Sequence, residues 1–299
     1  MTEEPRASGF RFPAIPPKYL SSILITIVLV VGQLYGEFIG GYERLALALG
    51  TALAAELLLS RLVRGSWPVL LSAYISGNSI AILTKPAGGL LWPFWMGSLI
   101  AITSKYVLTY KNRHLWNPTN FSVCALLLLA PQSMSILSHQ WGNDHIQQIL
   151  IPIGLLVVWR ARVLHITLTY SACFIALAWL RSSLWPEALP FAQEWGPITG
   201  PMAMFLIFFM ITDPRTQVRS RKGRMLTAAL VAVVECGIRL LPMTSFRGLD
   251  ALLSAPPLFA LFLVGPVAMW IDLRRAPNRA PAGVPAAAEA KPLGARGAT

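Results

Sequence analysis

KYVLTYKNRHLWNPTNF, residues 105–121, joins the end of one apolar run to the start of another through a short basic segment. Asn117-Pro118-Thr119-Asn120 reads as a tight turn, because Pro fixes φ and lacks an N–H while Asn hydrogen-bonds its own backbone. A water-soluble core has no need of such a junction. Between two membrane helices the same residues make a rigid polar elbow at the membrane face, and this reading sets the fold class as all-α.

The composition agrees. Of 299 residues, 55% are hydrophobic and 13% charged, about half the charged share of a soluble domain, and the mean hydropathy is +0.57. Apolar runs predict ten spans, at 19–39, 45–62, 67–84, 90–109, 119–131, 146–159, 163–180, 197–212, 225–241 and 252–272. Several are short for an upright helix crossing about 30 Å of hydrocarbon. The expected organisation is a tail at 1–18, a membrane domain at 19–272 and an irregular Ala/Pro/Gly-rich tail at 273–299. The first span has no small-residue cleavage site, so it is expected to remain as a helix.

The formal charge of +12 raises the question of nucleic acid, which its distribution answers. In the ten-span topology all but Arg44, Lys85, Arg181, Arg239 and Arg247 of the 25 basic residues fall on one side. That is the positive-inside pattern. It implies a multi-pass protein of a bacterial inner membrane with both termini cytoplasmic, the lipid bilayer as its surroundings and no nucleic-acid partner. The ten Trp all fall in or near predicted span ends or loops, where the indole ring suits the headgroup level.

A weak internal echo adds a topological expectation. Ile75-Ser76-Gly77 to Thr84-Lys85-Pro86 resembles Ile198-Thr199-Gly200 to Thr212-Asp213-Pro214, with five spans from one to the other. An odd repeat places the two halves in opposite orientations, and inverted repeats put binding sites at their interface.

Chemistry-bearing residues are few. Cys124, Cys173 and Cys236 contain no CxxC pair and cannot supply the four thiolates of a usual iron–sulfur cluster. Only His165 is near a span, which leaves a two-histidine haem without its second ligand. His139, Asp144 and His145 match no strong metal signature, so no metal site is expected. Glu56 and Glu235 fall within spans, where an ionisable group must find a partner or water. They read either as ion or proton relay carboxylates or as ion-paired structural residues, and they are not symmetry mates. Asn117, Thr119, Asn120, Thr212, Asp213, Arg215 and Thr216 converge on the basic side. These seven suit contacts to a cofactor's polar edge or phosphate, and Asn and Asp equally suit helix capping.

The Asn117-Pro118-Thr119-Asn120 elbow and the block Met210-Ile211-Thr212-Asp213-Pro214-Arg215-Thr216 resemble those of the RnfD/NqrB family. Its members are membrane components of Rnf-type electron-transport complexes and of the sodium-translocating NADH:quinone oxidoreductase. There an Asn-Pro-x-Asn-Pro elbow follows the fourth span and a Met-x-Thr-Asp-Pro-x-Thr block ends the eighth; here the second Pro of the elbow is absent. The resemblance covers roughly residues 70 to 272 and implies two inverted five-helix halves similar to urea transporters, flavin-linked electron transport and a redox partner. It also implies FMN esterified to the last Thr of a Ser/Thr-Gly-Ala-Thr motif. No such tetrad occurs from Ser122 to Thr212, and the lone Gly297-Ala298-Thr299 lies in the tail. Covalent FMN is therefore not expected, and a non-covalent flavin (FMN or riboflavin) or a quinone remains. The chain looks like a divergent, stand-alone branch, similar to membrane proteins found beside enediyne biosynthesis genes. The competing expectation is a small-solute or ion permease with a urea-transporter-like fold and no redox step.

Overall fold

In the computed structural model, residues 17–37, 39–136, 144–185, 188–241 and 250–275 are described. The tails before Pro17 and after Arg275, with Gly297-Ala298-Thr299, lie outside them, as do His139 and the side chains of Asp144 and His145.

The described chain is mostly helical. Helices α1 (Pro17–Gly36), α2 (Tyr42–Leu59), α3 (Leu71–Leu83), α4 (Trp92–Val107) and α5 (Pro118–Leu129) are followed by α6 (Asp144–Arg160) and α7 (Leu164–Leu184). Then come α8 (Phe191–Trp195), α9 (Pro201–Phe205), α10 (Arg221–Leu240), α11 (Asp250–Ser254) and α12 (Pro256–Arg275). A π-helical turn, Ser60–Arg64, prolongs α2 until Gly65 at φ +66° stops it in the left-handed conformation. Strand β1 (Thr84–Pro86) pairs antiparallel with β4 (Met134–Ile136), and β2 (Thr109–Tyr110) pairs with β3 (Arg113–His114).

Three helical stretches are long and apolar enough to cross a membrane: Tyr42–Arg64, Leu164–Leu184 and Pro256–Arg275. Only 28–44% of each is buried within the protein. An apolar helix left largely uncovered is stable where the surrounding solvent is itself apolar. Leu34, Leu62, Leu129, Trp159 and Trp179 are among the large side chains facing outward. Shorter apolar helices fill the remainder, including Leu71–Leu83, Pro118–Leu129 and Pro201–Met210.

Packing partners recur along the chain. Helix α2 lies against α3 and α4, while α7 lies against α8 and α10; α4 then packs on α5 as α10 packs on α12. The two sets meet through α1 with α6, α5 with α12 and α3 with α9. At the centre, every residue of Ser76–Leu83 is buried, as is every residue of Pro201–Met210 except Phe209. Gly77 explains how α3 gets so close to α2: a Cβ there would stand 2.9 Å from the Leu49 Cα and 3.1 Å from the Ala48 carbonyl oxygen. Small residues permit such close backbone approach between helices.

One detail differs from the sequence expectation. The segment predicted as the eighth span is not one helix. It comprises a 3-10 turn Gly196–Thr199, the short α9 after Gly200, and a π-helical turn Leu206–Met210, because Pro197 and Pro201 each lack the N–H that a continuous helix requires. Trp116, in the loop before α5, is partly buried: its Nε1 donates to the Phe262 carbonyl at 3.0 Å and its ring packs on Phe121 and Phe262.

Candidate functional site: a cleft between two polar elbows

Asn117 is the N-cap of α5. Its Oδ1 accepts from Asn120 N at 3.1 Å, with Pro118 at the first helical position where a missing N–H is harmless. Its Nδ2 reaches across the fold to Asp213 Oδ2 at 3.1 Å. Asp213 sits just after the π-helical turn; its Oδ1 accepts from Arg215 N at 3.0 Å and its Oδ2 from Thr216 Oγ1 at 3.2 Å. The carboxylate thus closes its own turn and ties it to the α5 cap in the same stroke.

A second clasp reinforces the first. Lys111 and Asn112, at φ +47° and +59°, form the two-residue turn between β2 and β3, the double positive-φ geometry favoured by tight hairpins. From that hairpin Arg113 donates to the carbonyls of Pro214, Arg215 and Gln217 at 3.1, 3.1 and 2.9 Å. Lys111 Nζ meets the Leu273 carbonyl at 3.1 Å, and Arg219 pairs with Asp272 at 2.8 Å. One end of the bundle is thereby sewn together, with the 105–117 segment, the 212–219 turn and the end of α12 on the same face.

Between the elbows lies a cavity of about 430 Å³, within the range of small-molecule sites. Ser72, Ser76 and Ser79 of α3 line one side, and Thr119, Thr212 and Phe209 line another. Asn117, Asp213 and Arg215 lie on its wall. So does His114, which is only 9% exposed and whose Nδ1 has no hydrogen-bond partner among the described residues. Burial holds the His114 pKa below its ordinary value; Arg215, Lys105 and Arg64 act in the same direction, and Asp213 opposes them.

The seven elbow residues divide by role. Thr119, Thr212 and Arg215 present to the cavity, while Asn117 and Asp213 line it already bonded to each other. Asn120 points away, with its Nδ2 on the Leu258 carbonyl at 2.9 Å, and Thr216 holds Asp213 rather than facing the cavity. Ser72, Ser76, Ser79 and His114 join the site only in three dimensions. The three serines do recur every three to four residues of a helical run, a spacing that places them on one helix face.

Glu56 and Glu235, the two carboxylates expected within spans, are both buried and lie on different helices. Glu56 (α2) accepts from Lys105 Nζ at 3.3 Å and Tyr106 Oη at 2.9 Å (both α4). Glu235 (α10) accepts from Tyr170 Oη (α7) and from Arg239 at 2.7 Å. Each is thus a carboxylate held by one tyrosine and one cation, and the helix pairs joined, α2 with α4 and α7 with α10, are those that recur in the packing. Neither carboxylate lines the cavity. Arg181 and Glu194 form a third buried pair at 2.7 Å. Among the described residues no group of three or more His, Cys, Asp or Glu comes together as a metal site would require.

No protein-family model matches the chain, and no curated protein matches it either.

Proposed function

We propose that the chain is a ten-span membrane protein in two inverted five-helix halves, related to the RnfD/NqrB family, and that it serves as a flavin-linked redox subunit with a non-covalent flavin in the elbow cleft. The recurring packing partners support the two halves. The basic elbow face supports a cytoplasmic orientation for that end and a bacterial inner-membrane location. The observation that carries the functional reading is the Asn117–Asp213 bond, which joins segments 96 residues apart around a cavity of about 430 Å³.

The residues fit a flavin in a specific division of labour. Bound there, the isoalloxazine would supply one- or two-electron chemistry. Thr119, Thr212 and the α3 serines offer hydroxyls to its polar edge, and Phe209 offers an apolar face. His114 holds an Nδ1 without a partner among the described residues, which can give or accept a proton there. Asn117 and Asp213 line the cavity bonded to each other, while Asn120 and Thr216 hold the two elbows in place. The redox donor or acceptor would be a membrane or protein partner reached from this face.

The test is the visible spectrum and fluorescence of the detergent-solubilised protein before and after acid precipitation. Flavin released into the supernatant supports the reading, and flavin retained on the pellet refutes the non-covalent part. A colourless, folded protein that passes a solute in vesicles supports the permease instead. The broken segment 196–210 favours that second reading, since interrupted helices at a repeat interface are where transporters bind their substrates.

A further inference from the structure

Next to the elbow cavity is a second space of about 570 Å³, and the two share His114 and Arg215 as lining residues. Its walls bring together Arg64, Lys105, Arg113, His114 and Arg215. Two carboxylates are near this set. Glu56 pairs with Lys105, and Asp213 is held by Asn117, Thr216 and the Arg215 amide. Arg64 lies 4.7 Å over the Tyr106 ring. Arg113 is pinned by three carbonyls, and among the described residues it forms no ion pair. Arg215 is exposed, and among the described residues neither its guanidinium nor that of Arg64 forms an ion pair. The buried His114, whose Nδ1 has no partner among the described residues, lines both spaces.

Three guanidinium groups thus approach one space from three separate elements: the π-helical turn after α2, the β2–β3 hairpin and the 213–217 turn. A planar carboxylate is satisfied by one guanidinium fork, whereas donors converging from several directions match the tetrahedral oxygens of a phosphate. We propose that this vestibule binds a phosphate group, so that cavity and vestibule together take one ligand with an uncharged body and a phosphorylated end. The body's place in the inner cavity rests on the flavin reading; the phosphate site requires the vestibule alone. The phosphate comes either from a soluble phosphomonoester or from the headgroup of an anionic lipid, since the vestibule lies at the basic end of the bundle.

The test uses the full chain in phosphatidylcholine nanodiscs, with FMN, riboflavin and inorganic phosphate as probes. FMN is expected to bind at least about tenfold more tightly than riboflavin, the gain from one or two charge-assisted hydrogen bonds. Arg64→Gln, at a residue that does not line the inner cavity, is expected to remove that difference and leave riboflavin affinity unchanged, while Arg64→Lys retains part of it. Inorganic phosphate should broaden its phosphorus resonance with the native protein and not with Arg64→Gln. If phosphate binds while neither flavin does, the vestibule stands and the flavin reading falls. If phosphatidylglycerol in mixed nanodiscs is retained by the native protein and lost from Arg64→Gln, the phosphate site stands with a lipid as its source. Equal affinities for FMN and riboflavin, with no phosphate broadening and no lipid retention, overturn the proposal.

Discussion

Removing the Asn117 side chain takes away two bonds that can be told apart. Its Oδ1 caps α5 through Asn120 N at 3.1 Å, and its Nδ2 bridges to Asp213 at 3.1 Å. A lost N-cap typically costs about 1 kcal/mol. A hydrogen bond to a charged group contributes about 1.5–3 kcal/mol, and the lower end applies because both residues are half-buried and reached by water. Asn117→Ser keeps a capping oxygen but is too short to reach Asp213, so it should lose about 1.5 kcal/mol; Asn117→Ala should lose about 2.5 kcal/mol. Asn117→Asp keeps the cap and sets a second carboxylate against Asp213, so it should fall below Asn117→Ser. The assay is equilibrium unfolding in mixed micelles followed by Trp fluorescence, completed by the Asn117→Ala/Asp213→Ala double-mutant cycle. A coupling of about 1 kcal/mol or more is expected. An Asn117→Ser protein as stable as native, with coupling below about 0.3 kcal/mol, would refute the inference that this bond joins the elbows.

Gly77→Ala should destabilise by about 1–3 kcal/mol in the same assay, because its Cβ would press on the Leu49 Cα and the Ala48 carbonyl, backbone atoms that cannot rotate aside. Glu56→Ala should cost about 3–5 kcal/mol by leaving Lys105, 2% exposed, without its counter-charge. Adding Lys105→Met to it should recover most of that loss; a double variant worse than the single would disprove the pairing argument. His114 predicts a pH effect of definite sign. Its folded pKa lies below its ordinary value, so the unfolded chain binds the proton more readily. Stability should therefore fall as pH drops below about 6.5 and level off once the folded imidazole has titrated. His114→Asn should flatten that part of the melting temperature against pH; an unchanged slope would assign it to other groups.

The elbow shows where sequence reading succeeds. Asn117-Pro118 is a cap-and-first-turn signal written in adjacent residues, and α5 begins there. The apolar runs likewise place α3, α4, α7 and α10 close to their observed limits, because helix length and hydrophobic continuity are local properties of the chain. The β2–β3 hairpin is not legible in the same way, since Lys111-Asn112 lacks the glycine that usually marks such a turn. The divided eighth segment looks continuous in sequence because hydropathy does not register the hydrogen bonds that Pro197 and Pro201 remove.

What the sequence determined by itself is the helical class, the excess of apolar surface and the polar character of two elbows. These follow from side-chain chemistry and from spacing within a few residues. Only the tertiary structure decided that Asp213 closes on Asn117, that Glu56 answers Lys105 and Tyr106, and that Asn120 turns inward while His114 faces a cavity. Each of those choices depends on which helices lie side by side. That is settled by the close approach of α2 and α3 at Gly77 and by the burial of α3 and the 201–210 segment at the centre, where packing acts over the whole chain at once.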